Sequence, residues 1–387
     1  MAIADDILDR FIRHATFIER LKTQQVREIV ALFNDEVIPL LIKRIRRVGT
    51  SAKAVKRLKT ERTRYRKIIK RGNKIIKRRL KSNLREVALM EGEFSATAMS
   101  KEMPFQFNFV VPAAPILEQI VTKTKIRGKL LNDFFNELGT KLESQVSSRI
   151  NVGLVEGQSI DDITRAIRGT AKTGFRNGIL EGTRREVAAV VRTAVNHTVT
   201  QAREETYKAN DDVIKEVRYV ATLDSKTTVI CAGLDGEVFP IGEGPRPPQH
   251  FQCRSTTTAV VKSFKELGFD NLKELPPKTR AAAPIGQREI KELRRAGATK
   301  AEIRTMQRSL NGQVPATETY GTWLKRQPGD TQNKVLGPTR AKLFREGKVK
   351  INRFTNDNNR PLNLNEIREL EGLTERDIKV VRTRSKK

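Results

Sequence analysis

The sequence has few of the residues that stabilise small or densely packed folds. Its 387 residues include two cysteines, three histidines and one tryptophan, and aromatic residues make up 5%. Two cysteines cannot cross-link a chain of this length, so we do not expect a disulfide framework. Few aromatics together with 31% charged residues are typical of helical, extended proteins rather than of β-sandwiches. We therefore expect a mainly α-helical chain.

Long hydrophobic runs are also missing. No run approaches the roughly 18 apolar residues of a membrane helix, and Asp5 and Asp6 stand where a signal peptide would be basic. We therefore expect a protein that is cytoplasmic when it is synthesised. A hydrophobic content of 37% still supports real cores, and the length predicts two or three packed units with extensions.

Acidic residues are scarce in one segment. The chain has 75 Lys and Arg against 45 acids, a net charge of +30, and residues 43–85 alone carry +19 because Glu61 is their single acid. Self-repulsion of this size favours an anionic partner, so we predict that this basic block contacts double-stranded DNA. The predicted contacts are its twenty cations: Lys43, Arg44, Arg46, Arg47, Lys53, Lys56, Arg57, Lys59, Arg62, Arg64, Arg66, Lys67, Lys70, Arg71, Lys74, Lys77, Arg78, Arg79, Lys81 and Arg85.

Two other readings of the basic block stay open. Charge runs are often a solvated helix face, and an acidic protein would attract the same cations. Apolar residues recur at helical spacing through the block, which predicts a long amphipathic helix rather than a disordered tail. The block contains one aromatic residue, Tyr65, and has no helix-turn-helix or zinc-finger spacing, so we expect DNA contact without base recognition.

The hydrophobic pattern divides the chain into helical and extended parts. Residues 7–48 predict two or three amphipathic helices with a break near Pro39. Ser159 with Asp162, and Thr183 with Glu186, each have the spacing of a capping box at a helix start. The predicted units are a helical N-terminal arm (1–102), a connector (103–115), a central α+β domain (116–275), a linker with a short basic helix (276–318) and a C-terminal extension (319–387).

A period of two replaces the helical period near the middle of the chain. Residues 214–222 alternate as a strand, and residues 237–241 and 256–261 predict two more strands. The dipeptide Asp235-Gly236 is typical of a tight turn that closes a hairpin. The fold class is therefore mainly α with a small β-element, preceded by long N-terminal amphipathic helices.

Both cysteines lie in this β-element, close to a histidine. The pattern His250-x-x-Cys253 places two good zinc ligands on one turn, and Cys231 can return from the facing hairpin. Structural zinc usually takes four ligands, and Asp224 is the nearby residue that we nominate for the fourth. The alternative is that both cysteines are buried small residues and that His250 is a hydrogen-bonding turn residue.

Two enzymatic readings of the same residues are weaker. A nuclease of the HNH type needs a general-base histidine and further metal ligands, but His14 and His197 are distant and no histidine follows His250. A cysteine hydrolase needs a third, orienting group, and only the nearness of Cys253 to His250 argues for it. We assign no catalytic residue and expect a protein that is not an enzyme.

Several motif residues have economical structural interpretations. Asp235 and Gly236 would form the turn, and Pro247-Pro248 would fix the approach to His250. Arg254 would pair with Asp224 or Asp235, although it could instead bind an external carboxylate or phosphate.

The order of these residues resembles the core motif of the minor head, or head-morphogenesis, proteins of tailed bacteriophages, the family of the Mu F protein. The residues that carry the resemblance are Asp224-x-Lys226-Thr227, Cys231, Leu234-Asp235-Gly236 and Pro247-Pro248-x-His250-x-x-Cys253-Arg254. Residues 319–347 are similar to the sequence that often continues this family. The chain departs from the usual pattern at Tyr219, where tryptophan is common, and at Ser255, where C-R-C becomes Cys-Arg-Ser and a possible fourth sulfur ligand is lost.

The resemblance implies a virion component inside the phage head, made in the bacterial cytoplasm. Such proteins associate with the portal, and possibly with scaffold or major capsid protein, during procapsid assembly, and they assist DNA packaging or ejection. In the alternative, the head-protein domain would deliver a DNA-acting enzyme or toxin encoded in residues 285–387. That region has no histidine, cysteine or Gly-rich phosphate loop.

Overall fold

The computed structural model describes residues 3–47, 52–103, 107–271, 279–282 and 312–379. Long helices dominate the fold, and the main sheet is small. The helices are α1 (Ile3–Glu36), α2 (Ile38–Arg46), α3 (Ala52–Glu102), α4 (Ala114–Lys123), α5 (Leu131–Val155), α6 (Ile160–Arg168), α7 (Ile179–Lys208), α8 (Val229–Leu234), α9 (Tyr320–Lys325), α10 (Gly329–Leu336), α11 (Pro338–Arg345), α12 (Leu364–Glu371) and α13 (Glu375–Ile378), with 3-10 turns at Ala171–Thr173 and Ile351–Phe354. The strands are β1 (Ile214–Val220), β2 (Val238–Pro240), β3 (Thr256–Val261), β4 (Thr279–Ala282) and β5 (Gly312–Pro315).

The three strands predicted from the alternating pattern form one antiparallel sheet in the order β2-β1-β3. Val217 in the central strand lies opposite Phe239 in β2 and Ala259 in β3. The predicted fold class, mainly α with a small β-element and long N-terminal helices, is confirmed.

The N-terminal helices and the central helices share one hydrophobic core. Ile29 and Phe33 of α1, Ile76 of α3, Val146 of α5 and Val191 of α7 all belong to it and are almost fully buried. The predicted division between an arm (1–102) and a central domain (116–275) therefore does not coincide with a boundary between cores. The connector has neither helix nor strand from residue 107 to α4, and Asn210, just after α7, holds it by hydrogen-bonding both the N–H and the C=O of Val110 (2.7 and 2.9 Å).

A second core joins the β-element to the C-terminal residues. Tyr219, Cys231 and Cys253 pack in the same cluster as Tyr320 and Trp323. The described part of the predicted C-terminal extension, residues 319–379, thus lies against the motif residues. Strands β4 and β5 pair with each other inside the segment predicted as a linker, whereas its predicted basic helix lies outside the described residues.

Three local predictions needed correction. The capping box at Thr183 and Glu186 is wrong as a helix start, because α7 begins four residues earlier, at Ile179, where packing of its apolar stripe extends it. Cys231 lies on the short helix α8 rather than on a hairpin strand. Asp235-Gly236 follows α8 and leads into β2, so the hairpin predicted to close there is replaced by a longer connection.

The cap predicted at Ser159 is present. Its hydroxyl accepts a hydrogen bond from the Asp162 N–H (3.1 Å) at the start of α6. Pro39 lies in the first turn of α2, where proline is tolerated and where the α1–α2 break occurs.

Candidate metal centre and basic groove

Three side chains meet beside the central strand. Helix α8 places Cys231 over β1, and the loop that returns from β2 to β3 carries His250 and Cys253. The Cys253 N–H donates to the His250 carbonyl (3.2 Å), which holds these two residues on one turn. The spacing that suggested zinc ligands therefore does bring them together.

The ligand atoms of these residues lie within 4.8 Å of one another. The two sulfurs are 3.7 Å apart, and Cys231 Sγ is 3.3 Å from His250 Nε2. Both cysteines are reduced and buried, and His250 is partly exposed. His250 Nδ1 lies 2.9 Å from the Phe251 carbonyl, so in the neutral ring Nδ1 carries the proton and Nε2 faces the sulfurs with a free lone pair.

The three groups shift one another's ionisation. The hydrogen bond between Cys231 and Cys253 lowers the pKa of the Cys253 thiol well below its usual value. The hydrogen bond with His250 lowers this pKa as well, whereas burial alone would raise it. The same hydrogen bond and burial raise the pKa of Cys231. Burial would lower the pKa of His250, but its contact with Cys253 raises it. The cluster therefore favours a thiolate on Cys253, the form that binds metals.

Asp224, nominated as the fourth ligand, is engaged elsewhere. Its carboxylate forms a bidentate ion pair with Arg254, in which Arg254 Nη2 lies 2.7 Å from Oδ1. It also accepts hydrogen bonds from the N–H groups of Lys226 (2.9 Å) and Thr227 (3.1 Å). These contacts lower its pKa although burial alone would raise it. Arg254 thus makes the internal pairing that the sequence suggested, with Asp224 rather than Asp235.

The predicted turn residues have a different use. Gly236 has φ +90°, a conformation that favours glycine, and it leads the chain from α8 into β2. Asp235 is buried, and its side chain accepts hydrogen bonds from the Ala221 N–H (2.6 Å), the Tyr320 N–H (2.7 Å) and Arg280 (3.0 Å). The peptide bond between Pro247 and Pro248 is cis, and Pro248 lies two residues before His250.

Sequence reasoning missed a lysine that reaches the candidate metal centre from α1. Lys22 is 2% exposed, and its ammonium donates to the Cys253 carbonyl (3.2 Å) and to Asn196 Oδ1 (2.9 Å). Burial lowers its pKa, although its pair with Glu19 opposes the shift. Lys22 lies at helical spacing between Ile18 and Ile29 in the buried stripe of α1, and a lysine at such a position is the signal that could have identified it.

The basic block forms most of one wall of a groove between α3 and α5. The groove has a volume of about 670 Å³, and its α5 wall includes Phe135, Asn136 and Thr140. Its α3 wall carries seven cations: Arg66, Lys70, Lys74, Lys77, Arg78, Lys81 and Arg85. Partial burial lowers the pKa of Lys81, and repulsion from Lys77 and Arg85 lowers it further. We call this surface the basic groove.

Several cations of the block form ion pairs with acidic residues of the same chain. Glu61 pairs with Arg44 and Arg64, and Glu143 pairs with Arg62 and Arg66. Arg79 lies 3.3 Å from a Glu28 oxygen. The backbone of Lys53, Lys56, Arg57 and Lys59 is helical, and their side chains lie outside the described residues.

Comparison with known protein families identifies the central part of the chain. Residues 144–258 match the family model of Phage Mu protein F like protein. The resemblance stated from the motif is thereby confirmed over this Mu F-like segment, which runs from the second half of α5 into β3 and contains the whole candidate metal centre. No curated protein and no solved structure shows a significant match to the chain. The match supports a phage head-related protein.

The basic groove lies outside the Mu F-like segment, since its lining residues fall between Arg66 and Glu143. Residues 319–347 also lie outside it, so their similarity to the family stays a prediction. Among the described residues, no helix combines the length and the apolar character needed to cross a membrane.

Proposed function

We propose that this protein is a minor head protein of a tailed phage. It associates with the portal inside the head and acts in head assembly and DNA packaging or ejection. It does so by docking to head proteins and by contacting double-stranded DNA without sequence preference. The Mu F-like segment supports the head role, and the basic groove is the observation that carries the DNA contact.

The groove cations form one stripe along a rigid element. Lys70, Lys74, Lys77, Lys81 and Arg85 are separated by three or four residues, the spacing that places side chains on one face of a helix. The stripe extends for about 22 Å along the helix axis. Within the described part of the chain these five cations form no ion pair, so they can be offered to phosphates.

The charges around the basic groove favour the binding of a polyanion. The nearest acid in the groove, Glu143, is already paired with Arg62 and Arg66 at one end. Bound phosphates would relieve the repulsion around Lys81 and release counterions from the DNA, which supplies affinity without base readout.

Salt-dependent DNA binding tests this assignment. In the groove variant, Lys70, Lys74, Lys77, Lys81 and Arg85 are changed to Gln in the full chain. A matched control carries the same change at five exposed lysines elsewhere: Lys125, Lys172, Lys265, Lys325 and Lys350. Because each phosphate contact contributes about 0.9 to the slope of log K against log salt, the groove variant should lose a slope of about 4.5 if each cation contacts one phosphate, and the control less than about 1.

Co-purification with co-expressed portal tests the docking half. Both variants should be retained on the portal, because neither set of changes alters the Mu F-like core. Equal loss of slope in both variants would mean that net charge, and not the groove, binds DNA. Failure of the wild-type chain to associate with portal, scaffold or capsid protein would contradict the head role itself.

A further inference from the structure

Two of the three distances between the ligand atoms agree with those around a tetrahedral metal. With Zn–S bonds of about 2.3 Å and a Zn–N bond of about 2.0–2.1 Å, tetrahedral angles set S···S near 3.8 Å and S···N near 3.5 Å. The observed separations are 3.7 Å between the two sulfurs and 3.3 Å from Cys231 Sγ to His250 Nε2. These two pairs need shifts of only a few tenths of an ångström to hold a zinc ion, and the third pair, Cys253 with His250, lies within 4.8 Å.

The structure also orients these ligands. The Phe251 carbonyl accepts from His250 Nδ1, the arrangement that commonly fixes a metal-binding histidine. Gln252 has φ +60°, and its N–H donates to Thr193 Oγ1 on α7 (3.1 Å), which anchors the turn between the histidine and Cys253. Tyr219 donates its hydroxyl hydrogen to Cys231 Sγ (3.2 Å). The turn and α8 therefore hold the three donors from different sides.

One polar side chain completes the wall of this cluster. Ser255 is 3% exposed, and it lies two residues after Cys253, immediately before β3. Asp224 is occupied by Arg254, which leaves the Ser255 hydroxyl as a buried oxygen close in sequence to the ligand turn. Its oxygen is a weak zinc ligand compared with a thiolate.

We propose that Cys231, His250 and Cys253 bind one zinc ion, whose fourth position faces the Ser255 hydroxyl and takes an oxygen ligand. The metal would link α8 to the turn before β3 and so fasten the connection between β1 and β2. Binding releases protons from the cysteines, since the thiolates are the ligands. This site is separate from the basic groove, and its test requires neither DNA nor portal.

Metal content and cobalt substitution test the site in the full chain. Protein purified under reducing conditions should contain one zinc ion per chain by elemental analysis, and Co²⁺ added after chelation should give the absorption bands of a tetrahedral thiolate site. Cys231→Ser and Cys253→Ser should lose both signals. Asp224→Asn is the matched control and should keep them, because Asp224 is not a ligand in this arrangement.

A gain-of-ligand variant keeps the test valid if the serine variants fail to fold. Ser255→Cys places a third sulfur at the open position, so zinc affinity measured by competition with a chromogenic chelator should rise at least about tenfold, the scale of effects around zinc sites. The cobalt bands should shift as sulfur replaces oxygen. Folded, reduced wild-type protein that binds neither zinc nor cobalt would overturn the proposal, as would an unchanged affinity in Ser255→Cys.

Discussion

Asp235 shows how a single buried carboxylate can connect distant parts of this chain. One oxygen accepts the Ala221 N–H after β1, the other accepts the Tyr320 N–H at the start of α9, and Arg280 of β4 pairs with both. The side chains of Asp235 and Arg280 are 0% and 4% exposed. A charge pair buried this completely is held by its hydrogen bonds, and removal of one partner leaves the other charge without compensation.

Asp235→Asn should therefore destabilise the protein strongly. We expect the free energy of unfolding to fall by about 3–5 kcal/mol, the range for breaking a buried ion pair, because Arg280 would stay buried without its counter-charge. Urea unfolding followed by the fluorescence of Trp323, which lies in the same core, measures the change.

A surface pair provides the control for Asp235→Asn. Glu371 accepts a hydrogen bond from Arg353 (2.6 Å) near the C-terminus, and Arg353 is 48% exposed, so Glu371→Gln should cost less than about 1 kcal/mol. Similar losses in the two variants would show that the Asp235 contacts do not hold the second core together.

At the scale of elements, α3 decides how the helices approach one another. Gly72, in the middle of this 51-residue helix, faces the junction of α1 and α2. A Cβ built on Gly72 would lie 2.2 Å from Cγ2 of Val37, a buried β-branched residue that cannot move away easily. The glycine thus allows α3 to cross the break that Pro39 introduces.

Gly72→Ala should destabilise the protein even though alanine is the better helix former. The gain of about 1 kcal/mol in helix propensity is outweighed by overpacking, which typically costs about 1–3 kcal/mol. Gly182→Ala in α7 is the matched control, because a Cβ there meets nothing within 4 Å, and it should stabilise by up to about 1 kcal/mol. Thermal melts of both variants give the signs, and stabilisation by Gly72→Ala would show that α3 can move away from Val37.

Elements also show why some boundaries were predictable and others were not. The Ser159 cap and the alternating residues of β1 and β3 are local signals, and they appear where the pattern placed them. The Thr183 pattern is equally good locally, but α7 starts earlier because Leu180 is buried in the first core and extends the helix. Tertiary burial therefore overrode the capping signal.

At the scale of the whole molecule, a buried polar network ties the helices to the sheet. Arg203 of α7 is fully buried and donates to Glu91 of α3 (2.5 Å) and to the Thr257 carbonyl of β3 (2.8 Å), and His14 of α1 lies 2.8 Å from the other Glu91 oxygen. Burial would raise the pKa of Glu91, but Arg203 and His14 lower it overall. The ionised carboxylate therefore contributes stability that is lost at low pH, as the pH falls through its depressed pKa.

His197 makes the stability of the fold depend on pH at less acidic values than Glu91 does. Burial lowers its pKa from 6.5 to about 4, so the folded protein holds it neutral while the unfolded chain protonates it near pH 6.5. Its contribution is fully present above pH 6.5 and is lost as the pH falls toward 4, which amounts to about 2 kcal/mol between pH 7.5 and 5.

The difference between the wild type and His197→Gln isolates this effect from the other titrating groups. Urea unfolding at pH 7.5, 6 and 5 should show a steeper loss of stability in the wild type than in the variant. Parallel curves for the two proteins would show that His197 is not held neutral in the fold.

Local patterns in the sequence alone determined the fold class, the concentration of charge between Lys43 and Arg85, and the nearness of His250 to Cys253. These features depend on residues close together in the chain, where helical or alternating spacing and composition suffice. The Mu F-like motif could be recognised for the same reason.

Only the tertiary structure decided which of these residues work together. It paired Arg254 with Asp224, brought Cys231 to His250 from a helix rather than a strand, and placed Lys22 beside them from α1. It also divided the basic block into cations neutralised by internal acids and cations facing a groove. Such partners are tens to hundreds of residues apart, and their meeting depends on how the cores pack, which no local spacing encodes.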